Sequence, residues 1–371
     1  MKSKAAILWE ANTPWSVEET ELDEPHAFEV QLHLASSGLC HSDDHGKKGD
    51  LPTGLPIIGG HEGAGVVTAV GPGVSRLKVG DHVVCAFIPA CGHCRWCADG
   101  MSQLCDYGAI IMEGLPVTDG VARVHARGQG LRQMSMLGTF APDIVVHQDS
   151  CVKIDDEIPL EIASLVGCGV TTGFGAAVMR AGVKPGDAVV VVGTGGVGSS
   201  AVQGARIAGA ETIVAVDPFE FRREQAMLLG ATHAVASMEE AVPLVTQLTR
   251  GVMADKTIMT VSLMTGDMLR PLMRLTRKGG RACLTSVASP TVLNADVVLV
   301  DLILSQKEIV GSVFGGANPH ADIPRMLSLY KHGLLKLDEL VTKTYSLEQI
   351  NEGYDDLLDG MIMRGMILFD K

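Results

Sequence analysis

Four cysteines fall within fifteen residues: Cys91, Cys94, Cys97 and Cys105, in CGHCRWCADGMSQLC. Thiolates are ligands that zinc favours, and four of them close a tetrahedron with no room for water. Such a site holds a loop in shape. Cys40 in GLCHSDDH, His61 in GGHEGAG and Cys168 in LVGCGVTTG form a different set. Together they could hold a second zinc with three protein ligands and one open position, the arrangement of catalytic sites. Taken singly, each could equally be core packing. Their neighbours single them out: Ser42, Asp43 and His45 follow Cys40, and Glu62 follows His61. Asp43 and Asp44 could equally form a solvated turn. Cys85, Cys151 and Cys283 lack such company and read as core thiols.

A third chemical motif is GTGGVG, which places Gly193, Gly195 and Gly198 between an apolar run and an Ala-rich stretch. In a dinucleotide fingerprint the first glycine makes a tight turn. The second lets pyrophosphate approach the backbone, and the third lets helix pack on strand. The following helix N-terminus, at Gly196 and Val197, attracts the phosphate charge. Asp217 stands nineteen residues after Gly198. A carboxylate there accepts hydrogen bonds from the adenosine ribose and repels a 2′-phosphate, which favours NAD over NADP. Arg222 and Arg223 are near enough to leave NADP open. Zinc together with a nicotinamide points to alcohol oxidation.

Two kinds of region must position these groups. Up to about residue 169 the chain has short β-like runs, at 30–34, 65–70 and 81–87, broken by Gly and Pro, so a β-rich domain is expected. From about residue 171 strand and helix alternate. Strands are expected at 187–192, 211–216, 233–236, 255–261, 281–286 and 308–313. Helices are expected at 199–208, 219–229, 238–249 and 268–277. That rhythm implies a doubly wound parallel sheet. Helices at 323–331 and 347–358 and a strand at 365–369 would return to the first domain. The methionines of 361–366 suit core filling.

Composition narrows the class. With 371 residues, 46% of them hydrophobic, and 43 glycines, the chain has room for two cores. A net charge of −13 argues against nucleic acid, which needs clustered Lys and Arg. Only Arg95 lies as a strong base between the four clustered cysteines, so a nucleic-acid-binding zinc ribbon is a poor fit. The first residues lack the apolar core of a signal peptide, and no run is long enough to cross a bilayer. Nine cysteines in CxxCxxC grouping suggest metal rather than disulfides, and a reducing cytoplasm.

GLCHSDDH, GGHEGAG, the four-cysteine lobe, LVGCGVTTG and GTGGVG stand in the order found in the zinc-containing medium-chain alcohol dehydrogenases, and the chain resembles them along its whole length. The resemblance implies an α/β fold: a GroES-like β-rich catalytic domain (1–169, lobe 91–105, returning at 313–371) and a Rossmann NAD-binding domain (170–312). It implies that Cys40, His61 and Cys168 bind a catalytic zinc, with Asp43 bracing His61 and Glu62 just behind the metal. Ser42 and His45 would relay the proton by way of the nicotinamide ribose. Arg364 would grip the coenzyme pyrophosphate, where His41 replaces an arginine of many relatives. Thr172 and Val287 would contact the coenzyme, and Leu51, Phe87 and Phe140, again with Val287, would line the substrate pocket. RLKVGDHVVCAFIPACGHCRWC, ADIPRMLSLYKHGLLKLDELVT and YSLEQINEGYDDL are similar to the actinobacterial nicotinoprotein subgroup, which retains NAD(H) through turnover and is assayed with N,N-dimethyl-4-nitrosoaniline.

The expected function is reversible oxidation of primary alcohols to aldehydes, with two zincs and NAD(H), an external electron acceptor if NAD is retained, and a homo-oligomer, dimer or tetramer. Two rivals are a formaldehyde dehydrogenase acting on a thiol adduct and a catalytically silent NAD(P)-binding relative. The first needs basic residues at the pocket mouth, which the sequence does not place. The second usually lacks a zinc ligand, and all three are present here.

Overall fold

The computed structural model describes residues 1–370, which divide into two compact units: 1–168 with 318–370, and Gly169–Ala317. In the first, the strands Lys2–Leu8, Ser16–Leu22, Val124–Ala126, Gln129–Gln133 and Ile57–Ile58 close a barrel. A larger sheet runs beside it in the order Cys151–Lys153, His82–Cys85, Gly63–Val70, Glu29–Gly38, Arg364–Leu368, Val341–Tyr345. Asp143–His147 pairs with the central strand Glu29–Gly38 as well. That strand alternates buried and half-buried residues, the period-two pattern of a sheet with one face on a core. Leu32, Leu34, Val67, Val83 and Ile144 fill the core it faces.

The sheet's register positions the chemistry. Glu29–Gly38 lies antiparallel to Gly63–Val70, with Ser37 opposite Gly63, and antiparallel to Arg364–Leu368, with Gly38 opposite Met366. Three strand ends therefore meet at one edge. Cys40 leaves the first, His61 and Glu62 enter the second, and Arg364 opens the third. Residues 41–48, for which no helix was expected, form the helix His41–Lys48 directly after Cys40. Asp43 and Asp44 are 1% and 2% exposed, so the solvated-turn reading of this pair is wrong.

The second unit is a six-stranded parallel sheet among the described residues. Its order is His233–Val235, Thr212–Val216, Ala188–Val192, Ala254–Met259, Thr276–Leu284, Glu308–Gly311. The strand sequence climbs one way from Ala188–Val192, then the other, which creates a switch point beside that strand's carboxyl end. Val189, Val190 and Val191 are at most 1% exposed, as both-face burial requires. Two elements departed from expectation. Thr276–Leu284 starts five residues before the expected strand, shortening the preceding helix to Leu269–Leu275. An unforeseen helix, Leu299–Leu304, carries exposed apolar side chains where a helix normally buries a stripe.

Candidate active site

Cys40, His61, Glu62 and Cys168 bring one ligand atom each to within 4.8 Å of one another, and all four residues are buried. Cys168 reaches the cluster from the turn after Ser164–Gly167. That turn is packed so closely that a Cβ on Gly167 would lie 2.3 Å from the Cys85 carbonyl. Cys40 and Cys168 lie side by side at the centre of the cluster. A hydrogen bond from the Cys168 thiol holds the Cys40 thiol well below its usual range, and that same bond and burial push Cys168 well above it. Burial works against protonation of His61, but the Asp43 carboxylate and the Cys40 thiolate outweigh it and raise its pKa well above normal.

His61 shows where a cation fits. Its Nδ1 lies 3.1 Å from the Asp43 carboxylate, which also accepts the Gly60 amide at 2.8 Å. Its Nε2 is buried with no hydrogen-bond partner among the described residues, and a free imidazole nitrogen opposite two cysteine sulfurs is the donor set of a zinc site. Arg364 is buried beside these ligands and donates to Glu62. Its guanidinium is thus engaged with the ligand cluster, whatever it also offers a coenzyme.

On the helix His41–Lys48 the Ser42 hydroxyl lies 3.6 Å from the Cys40 sulfur. His45, three residues on, shares that face. Its Nδ1 is 2.8 Å from the Asp50 carboxylate, a partner the sequence reading missed because Asp50 sits past the helix in an ordinary turn. Phe87 places its ring edge-on to His61 at 6.0 Å, and Leu51 is half-buried. Phe140 is fully buried between Trp15 and Tyr354, with the turn at Gly59 and Gly60 directly against its ring.

The four-cysteine lobe also converges, its sulfurs within 4.8 Å of one another. Backbone amides of Cys94 and Cys97 point at the sulfurs of Cys91 and Cys94. Burial is outweighed at Cys94 by amide donors, which bring its thiol down to about 6, whereas burial pushes Cys105 up to about 12. These four thiols would suit a zinc ion, which takes cysteine as thiolate and would contribute to folding there.

In the second unit GTGGVG runs from the strand Ala188–Val192 into the helix Gly196–Ile207. Gly193 has φ +85°, and a Cβ on Gly198 would lie 1.8 Å from the Gly193 carbonyl, so only glycine fits either place. A Cβ on Gly195 would meet nothing within 4 Å, which leaves the backbone there open to a ligand. Asp217 ties the turn together, accepting from the Thr194 amide at 2.7 Å and the Phe219 amide at 3.0 Å. Arg223 donates to the carbonyls of Asp217 and Pro218, and burial lowers the pKa of Arg222, whose guanidinium lies over the Phe219 ring. Thr172 Oγ1 is buried and unpartnered among the described residues, as a group awaiting a ligand amide would be. His41 opens its helix in the first unit, and Val287 pairs with Leu263 in the second.

Comparison with known proteins fits this pair of sites. The family model for the alcohol dehydrogenase GroES-like domain matches residues 26–156, and that for zinc-binding dehydrogenases matches residues 196–332. The chain belongs to the zinc-containing medium-chain alcohol dehydrogenases, which are oxidoreductases. It is 50% identical over 370 residues to alcohol dehydrogenase B of Mycobacterium tuberculosis, covering 100% of this chain and 99% of that protein. It is likewise 50% identical to the NDMA-dependent alcohol dehydrogenase of Amycolatopsis methanolica, covering 99% of both. Benzyl alcohol dehydrogenase from Acinetobacter calcoaceticus matches as a solved structure with a TM-score of 0.93 and 28% identity, each chain fully covered. None of these names favours a thiol-adduct dehydrogenase or a silent relative. Among the described residues no single helix is long and apolar enough to cross a membrane.

Proposed function

We propose that this protein oxidises primary alcohols to aldehydes, reversibly, at Cys40, His61 and Cys168, with NAD as hydride acceptor and zinc as the site metal. The observation that carries the reading is the unpartnered, buried Nε2 of His61 facing two cysteine sulfurs. Bound zinc supplies Lewis acidity toward the alcohol oxygen, and bound NAD takes the hydride. Ser42 is the first acceptor of the alcohol proton and His45 passes it on, held by Asp50 in one orientation. Phe87 and Leu51 shape the alcohol side. Asp217, Gly193, Gly195, Gly198, Thr172 and Val287 serve the coenzyme, and Arg364 balances the charge of Glu62 and the thiolates.

The lobe Cys91–Cys94–Cys97–Cys105 takes a second, structural zinc. NAD(H) stays bound through turnover, so an external acceptor such as NDMA reoxidises it in place. The full-length likeness to the NDMA-dependent enzyme supports that reading. Self-association is supported by the exposed Leu293, Leu299, Ile303 and Leu304, too apolar to remain wet. A cytoplasmic enzyme suits nine cysteines without a disulfide. The decisive experiment denatures purified protein and measures released zinc and NAD(H), then assays primary alcohols with NDMA, with and without added NAD. Two zincs, one NAD(H) and turnover without added NAD are expected. A protein free of NAD(H) that turns over only with supplied NAD overturns retention, and absence of turnover under both conditions overturns the activity.

A further inference from the structure

Behind the metal-ligand cluster lies a phenol that the proposed chemistry does not use. Tyr354, on the helix Ile350–Leu358, is 2% exposed and donates its hydroxyl to the Cys40 carbonyl at 3.3 Å. The same carbonyl accepts the Asp43 amide at 3.2 Å. Phenol, ligand backbone and the start of the helix His41–Lys48 therefore meet at one oxygen. Asp43 is the group that holds His61 Nδ1.

The ring itself has little freedom. It stacks on Trp15 at 6.1 Å with the planes 30° apart, and meets Phe140 nearly edge-on at 6.2 Å. Trp15 and Phe140 in turn press on the turn that delivers His61. A Cβ on Gly59 would lie 2.5 Å from Trp15 and 2.7 Å from Phe140, and one on Gly60 would lie 2.5 Å from Phe140. A phenylalanine at 354 would keep this packing and lose only the hydroxyl.

We infer that Tyr354 is a positioning residue for the site metal, its hydroxyl fixing the Cys40 carbonyl, which also takes the Asp43 amide, so that Cys40 and His61 converge. The inference rests on the proposed metal reading of Cys40, His61 and Cys168. Partners that orient a metal-bound histidine are worth roughly 10–100-fold in metal affinity or activity. A residue acting one step further out belongs at the lower end of that range.

The test compares wild type, Tyr354→Phe, Trp15→Phe and Asp43→Asn, each as the full chain in zinc and cobalt forms, with Cys168→Ala identifying the signal of the lobe. Three quantities are read: the thermal midpoint, the rate at which a chelator strips the site metal, and the cobalt d–d and thiolate bands. Tyr354→Phe should stay within about 3 °C of wild type. It should lose the site metal about 10-fold faster and shift the cobalt bands. Trp15→Phe, which thins the packing but keeps the phenol, should lower the midpoint more and leave both metal readouts in place. In the Asp43→Asn background Tyr354→Phe should add less than about two-fold, because both act along one connection. Unchanged metal loss and cobalt bands in Tyr354→Phe overturn the assignment, as does a full effect persisting beside Asp43→Asn. A wild-type protein with no metal at Cys168 overturns the metal reading itself and the inference with it.

Discussion

Gly195 and Gly198 stand three residues apart in one motif, yet the structure gives them opposite jobs, and alanine at each separates folding from binding. At Gly198 the new Cβ would sit 1.8 Å from the Gly193 carbonyl and 2.7 Å from Thr260 Oγ1. Ordinary contact begins near 3.4 Å, so helix and turn must part by about 1.6 Å. Neither the carbonyl nor the helix is a flexible side chain, and overpacking of this kind costs about 2–3 kcal/mol. In a unit of this size that lowers the melting midpoint by about 5–10 °C. At Gly195 the Cβ meets nothing, and the residue is the helix N-cap, where glycine to alanine costs about 0.5–1 kcal/mol. The added methyl instead occupies the open backbone face that the pyrophosphate needs. A repulsion of about 2 kcal/mol there weakens coenzyme binding about 30-fold. Calorimetric melting of the coenzyme-free proteins and titration with NAD measure both quantities. The reasoning is refuted if Gly198→Ala melts with wild type, or if Gly195→Ala binds NAD unchanged.

Four further outcomes follow from the geometry. Cys168→Ala should reduce bound zinc from two per chain to one and abolish alcohol turnover while the midpoint falls only slightly; full metal content would misplace the site. Cys97→Ser should instead lower the midpoint by several degrees, because lobe zinc binding is folding energy, and an equally stable variant would refute that role. Asp217→Gly removes a carboxylate that holds the Thr194 amide, so NAD binding should weaken at least about 10-fold with a relative gain for NADP, checked by coenzyme titration. His147 is driven down to about 4 chiefly by burial, so the unfolded chain binds a proton first as pH falls below about 6.5. Its contribution, at most about 2–3 kcal/mol, is present above that pH and lost toward pH 4, and urea unfolding of His147→Phe should show a flatter acid limb.

Much of this was legible because the signals are local. Burial on both faces made Ala188–Val192 an unbroken apolar run, and the steric demands at Gly193 and Gly198 left glycines at fixed spacing. The lobe cysteines announce themselves because their ligand set is nearly contiguous. Cys40, His61 and Cys168 could be flagged only by their neighbours, since an antiparallel register and a tight turn bring them together, and neither has a sequence signature. The helix His41–Lys48 escaped notice because it opens with His-Ser-Asp-Asp and has no apolar stripe. Asp50 and Tyr354 were invisible for opposite reasons. The first is one acidic residue in a loop, and the second is an aromatic on an amphipathic helix, indistinguishable from core.

The strand Arg364–Leu368 lies between Glu29–Gly38 and Val341–Tyr345, and it carries the arginine that reaches Glu62. On the ribosome, residues 169–317 emerge before this strand is made. The inserted unit can therefore complete its parallel sheet while the first unit still has an open sheet edge and an uncompensated ligand cluster. A nascent chain halted before residue 364 leaves the Gly38 end of Glu29–Gly38 without its partner strand, an open sheet edge of the kind that chaperones shield.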